Sequence, residues 1–159
     1  MSARTVIVFL LFVSLVACRK NEQAAATRTG APAKVKWGLE GPCSWLTAAE
    51  ASEVIGQGAK QVIDPTTNNC NIEPAGKTGL ALYYHVADNT GAYSFMKASR
   101  KAEDITGIGD KAVWDTGALA VVKGTRCLSV GPAASATKPT DAELKAKELA
   151  LATKIVDRM

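Results

Sequence analysis

The sequence predicts an α+β domain, with an antiparallel sheet of about four to six strands packed against two or three helices. Three observations lead there. Helical and strand signals come in groups, without the regular alternation that a parallel, doubly wound sheet requires. Thr47-Ala48-Ala49-Glu50 and Thr140-Asp141-Ala142-Glu143 have the spacing of capping boxes, each opening a helix. Between Lys111 and Val130, apolar runs are separated by Asp115-Thr116-Gly117 and Lys123-Gly124, which are hairpin signals. A chain of 159 residues, 47% hydrophobic and 21% charged, accommodates one such domain with appendages.

The first appendage is the stretch 1–17. Met1 to Thr5 carries one positive charge, Arg4, and no acid. Val6 to Ala17 follows without charge, Pro or Gly. As a helix this run would span roughly 18 Å, short of the bilayer's hydrocarbon core of about 30 Å, so it fits the apolar region of a signal peptide and not a permanent membrane span. It ends in Leu15-Val16-Ala17-Cys18. That quartet, placed after a charged start and an apolar run, resembles the lipobox of bacterial lipoproteins. The resemblance implies cleavage between Ala17 and Cys18, with lipid, palmitate included, carried on Cys18. Two or more acyl chains would then hold the protein stably on a membrane. In lipoproteins of two-membrane bacteria an Asp after the acylated Cys is associated with inner-membrane retention. Arg19 is not that signal, so the resemblance implies the outer membrane facing the periplasm if the host has one, and otherwise the outer face of the cell membrane.

Residues 18–42 show neither a helical nor a strand period and read as a flexible basic tether. About 23 such residues reach on the order of 25 Å. The basic side chains Arg19, Lys20, Arg28, Lys34 and Lys36 outnumber Glu22 and Glu40 there, whereas residues 43–159 hold thirteen basic and thirteen acidic side chains. The formal charge of +4 therefore belongs to the leader and the tether. A nucleic-acid binder would carry its basic footprint on the folded module, so no nucleic-acid partner is expected.

Residues 43–159 read as a single domain. Thr47 to Gly56 predicts a short helix with Leu46, Val54 and Ile55 inward, and Asp64 to Asn69 is turn chemistry. Gly79 to Val86 predicts a strand with Leu80, Leu82, Tyr84 and Val86 on one face and Ala81, Tyr83 and His85 on the other. Thr90 to Lys101 reads as a second helix, with Tyr93, Phe95, Met96 and Ala98 as its apolar content. Residues around Lys111 to Asp115, Ala118 to Val122 and Thr125 to Val130 form three antiparallel strands. The last helix runs from Thr140 to about Asp157, with Leu144, Leu151 and Ile155 on one stripe, Leu149, Ala152 and Val156 beside it, and Lys145, Lys147 and Glu148 toward solvent.

Once Cys18 is set aside as the lipid acceptor, Cys43, Cys70 and Cys127 remain, and three pairings are open. Adjacent loop chemistry favours a Cys43–Cys70 disulfide, leaving Cys127 as a buried thiol in a strand. Zinc fits poorly, with one His and no Cys-x-x-Cys. Ser44, Ser94 and Ser129 lack a nucleophile-elbow context. Gly107-Ile108-Gly109 lacks the third glycine of a phosphate loop and reads as a turn. Cys127 and His85 are a nucleophile and base only if the fold brings them together. Trp45 and Trp114 are expected to pack on the core; Trp37 is the third tryptophan of an aromatic surface if one exists.

The succession Cys43-Ser44-Trp45-Leu46-Thr47, Gly56, Cys70, Gly107-Ile108-Gly109-Asp110-Lys111-Ala112 and the Val122-Lys123-Gly124 hairpin resembles small bacterial lipoproteins of unknown function. That resemblance supplies no activity to carry over, and the residues themselves lead to the expectation of no catalytic group, no metal and no cofactor. The expectation is a lipid-anchored envelope protein with a non-catalytic binding domain, whose partner is a protein or a small envelope ligand. The alternatives are a periplasmic enzyme inhibitor and, last, a small hydrolase or thiol enzyme using Cys127 or His85.

Overall fold

The structure, a computed structural model, describes residues 41–76, 78–133 and 138–159. The leader, the Ala17–Cys18 junction and the tether up to residue 40 lie outside the described residues. A 3₁₀ turn at Gly41–Trp45 leads into helix α1 (Ala48–Ile55) and strands β1 (Lys60–Ile63), β2 (Cys70–Glu73) and β3 (Leu82–Ala87). Helix α2 (Gly91–Lys97) then precedes β4 (Glu103–Ile105), β5 (Lys111–Asp115), β6 (Ala118–Lys123) and β7 (Arg126–Pro132), and α3 (Asp141–Val156) follows. The seven strands form one antiparallel sheet in the order β1-β2-β3-β7-β6-β5-β4, which bears out the α+β class. The count exceeds the expected four to six because two short edge strands, β1 and β4, carry mostly exposed side chains and no alternation to betray them.

Local chemistry sets most boundaries. Thr47 and Glu50 complete a reciprocal capping box at α1, each side chain accepting the other's backbone N–H. At α3 only half of the box forms, with the Thr140 hydroxyl accepting from Glu143 N. The turn between β5 and β6 places Thr116 at φ 44° and Gly117 at φ 88°. Positive φ at both central residues gives the twist that antiparallel strands need. Between β4 and β5 the chain passes so close to β6 that a Cβ on Gly109 would stand 2.5 Å from the Val122 carbonyl oxygen. Only glycine fits there, so Gly107-Ile108-Gly109 is a structural turn. Helix α2 stops at Lys97, four residues before the expected end, where Ser99 and the turn after it take over.

Strand register assigns the two faces. Leu82 and Tyr84 of β3 share a face with Leu128 and Val130 of β7 and Leu119 and Val121 of β6. This face carries the main core, covered by α1 and α3 through Leu46, Ala51, Val54, Leu144, Leu151, Ala152 and Ile155. The opposite face holds a smaller cluster, Val113, Ala120, Val122 and Cys127, against which Ala92, Tyr93 and Met96 of α2 pack. Strands β3 and β4 run in the same direction on opposite sides of β7, β6 and β5, so their connection has to cross those three strands. Helix α2 is that crossing.

A Cys43–Cys70 disulfide ties the 3₁₀ turn to β2, and among the described residues Cys127 is the free cysteine, and it is buried. The bridge spans 27 residues, for which chain-entropy reasoning gives about 3.5 kcal/mol. A Cys43→Ala/Cys70→Ala chain should lose stability of that order in denaturant unfolding, and an unshifted midpoint would show the bridge to be energetically idle. Leu151 is fully buried in the α3 seam. Leu151→Ala should cost about 2–5 kcal/mol in the same measurement.

Candidate functional site

The groups capable of chemistry sit on the sheet face under α2. His85 of β3 stands directly opposite Ser129 of β7, and Cys127 opposite Ala87. His85, Ser129 and Cys127 therefore share that face, with thiol and imidazole on a diagonal. Diagonal neighbours have backbones roughly 7–8 Å apart, still within reach of longer side chains, so the ladder puts the two groups in one neighbourhood and their surroundings decide their chemistry. The juxtaposition is invisible in the sequence because it depends on a strand pairing more than forty residues long in chain separation.

The environment of the thiol decides what the pair can do. Cys127 is 1% exposed, enclosed by α2 and its own strand neighbours. Burial pushes its pKa up, against smaller opposing contributions from the Tyr93 backbone and the Ser129 hydroxyl. A thiol held neutral and covered has neither the thiolate nor the access that nucleophilic chemistry needs. His85 is half-buried, and its Nδ1 makes no hydrogen bond among the described residues. Among the described residues no group of three or more His, Cys, Asp or Glu side chains could hold a metal ion, and no helix is long and apolar enough to cross a membrane.

Comparison with known proteins adds no relative. No family model, curated protein or solved structure matches this chain.

The largest departure from the sequence reading lies on the other face. Glu148, expected at the solvent side of α3, is fully buried. Its Oε2 accepts from Trp114 Nε1 at 2.8 Å, and its Oε1 makes no hydrogen bond among the described residues. Trp114 is thus held by the helix, and the Lys145 ammonium sits 5.4 Å from the centre of its ring. Lys145 in turn pairs with Glu103 of β4, the residue opposite Trp114 in the sheet. The sequence shows one helix face carrying both Lys145 and Glu148. It does not show that an indole N–H 34 residues away turns the second inward.

At the far end of α3, Arg158 donates to both carboxylate oxygens of Glu50 and to the Trp45 carbonyl. The Arg158 guanidinium, followed by the Thr47 hydrogen bonds, holds the Glu50 carboxyl down at about 2 despite its desolvation. The Arg126 guanidinium lies 5.4 Å from the centre of the Trp45 ring. Trp45 and Trp114 pack against the core as expected, each beneath a cation. These contacts fasten α1 and α3 together.

Burial raises the Glu148 pKa to about 8, partly offset by the Trp114 hydrogen bond. From about pH 4.3, where the unfolded chain releases this proton, up to about pH 8, the folded chain keeps it. Stability should therefore fall as pH rises through that window, by at most about 1.4 kcal/mol per unit, and level off above it. Glu148→Gln keeps an acceptor for Trp114 and should flatten the dependence in chemical denaturation. Equal slopes for the two proteins would show that Glu148 is ionised in the fold.

Proposed function

We propose that this chain is a bacterial lipoprotein, anchored to the cell envelope through lipid on Cys18, whose disulfide-bonded domain acts by binding a protein or a small envelope ligand. The observation that carries the reading is the leader: one basic residue, a charge-free apolar run too short to span a bilayer, and Leu15-Val16-Ala17-Cys18 at its end. The Cys43–Cys70 bridge supports it, because structural disulfides persist in oxidising compartments outside the cytosol. The neutral domain charge speaks against nucleic acid as the partner. The covered thiol of Cys127, kept protonated by burial, favours binding over thiol chemistry. The tether would let the domain work on the order of 25 Å from the membrane. By the resemblance to lipoproteins without an inner-membrane retention residue, the outer membrane facing the periplasm is the proposed location in a two-membrane host.

Metabolic labelling with a fatty acid tests the anchor. The wild-type chain should take up label and be shortened to Cys18, whereas Cys18→Ser should do neither; labelling of Cys18→Ser would refute the assignment. A thiol count gives a second readout. Without reductant, the native processed protein should react with no thiol reagent, and after unfolding in guanidinium it should expose a single thiol, Cys127. Two thiols after unfolding would mean that Cys18 is unmodified.

A further inference from the structure

Helix α2 turns Ala92, Tyr93 and Met96 toward the sheet. Phe95 points the other way and is 83% exposed, the most exposed large hydrophobic side chain among the described residues. The helix is followed by a turn that presents Arg100 and Lys101, both exposed. That turn is fastened at both ends: Ser99 N donates to the Met96 carbonyl, Ala102 N to the Ser99 carbonyl, and the Ser99 hydroxyl to Asp115 of β5. Lys97 is paired with Asp104, but Arg100 and Lys101 form no ion pair among the described residues. A domain with balanced charge thus displays, on a helix and a hydrogen-bonded turn, one bare aromatic ring followed by two cations without an ion-pair partner among the described residues.

We propose that α2 and the turn after it dock the domain on an anionic lipid surface, Phe95 entering the interface while Arg100 and Lys101 contact the headgroups. The proposal rests on the membrane anchoring assigned to Cys18, which would keep this face within reach of a bilayer. Charge complementarity selects the occupant, since basic side chains close to an anionic leaflet are drawn to it and an aromatic ring settles at the headgroup boundary. A protein partner would call for a broader patch with several apolar anchors. The other exposed large hydrophobics among the described residues, Val62 and Ile63, lie on β1, the edge strand beyond β2 and β3, away from Phe95.

The buried core of the described residues is drawn from residues between Cys43 and Val156, so a chain beginning at Arg19 keeps every one of them and lacks the lipid acceptor. With its disulfide formed, that chain is sedimented with vesicles of phosphatidylcholine containing phosphatidylglycerol, and with phosphatidylcholine alone. Partitioning should need the anionic lipid. Arg100→Gln/Lys101→Gln should weaken it by about 10- to 30-fold and Phe95→Ser by about tenfold, both variants keeping the basic tether. Partitioning of both variants equal to wild type would overturn the proposal. So would a Phe95→Ser change that leaves vesicle binding intact but converts a dimer to a monomer in analytical ultracentrifugation, because the ring would then belong to a contact between copies. Cys18 is absent from this chain, so failure here is separate from failure of the anchor, which fatty-acid labelling reads.

Discussion

The pairing of β3 with β7 is the constraint on which the molecule depends. Strands β1, β2 and β3 follow one another in sequence and in space, as do β4, β5, β6 and β7. Each set assembles through local hairpins. They become one sheet along the single ladder from Leu82 opposite Pro132 to Ala87 opposite Cys127. Both layers of side chains rely on it: Tyr84 and Val130 meet across it beneath α3, and Cys127 flanks it beneath α2. The ladder also dictates the path of α2, which has to carry the chain over three strands to start β4 at the far edge. A contact between segments so distant in sequence carries a larger loop-closure cost than the hairpins on either side of it.

What the sequence reveals follows the range of the interactions. The two helix starts were legible because Thr47 with Glu50 and Thr140 with Glu143 are three residues apart and act locally. The hairpins at Thr116-Gly117 and Gly124 were legible for the same reason, as was the alternation through Leu82, Tyr84 and Val86. Strands β1 and β4 were not, since an edge strand of three or four residues with exposed side chains has no apolar rhythm. The Cys43–Cys70 bridge agrees with the favoured pairing, which loop chemistry had separated from two others.

The misread positions share one cause, a partner far along the chain. Glu148 looks like a solvent residue until Trp114 supplies its donor, and a carboxyl that is neutral at neutral pH can lie in a core where a carboxylate would be costly. His85 and Cys127 look unrelated until β3 meets β7. Phe95 is one apolar residue of a helix among several until the sheet takes Tyr93 and Met96 and leaves it outside. In each case composition told what the residue was and tertiary pairing told where it faced.

The placement of the cysteines about that seam bears on how the chain matures. Cys43 and Cys70 both belong to the part of the chain that precedes it, and Cys127 lies on the strand that completes it. In any chain oxidised before β7 docks, Cys127 is uncovered and competes with Cys43 and Cys70 for the oxidant. Cys127 withdraws from that competition only when the sheet closes over it. The shorter loop between Cys43 and Cys70 gives their encounter a modest statistical lead. Fidelity of the bridge is then a race: a delay in docking β7 prolongs the time in which a wrong thiol can be captured, so slow closure of the sheet would surface as scrambled disulfides.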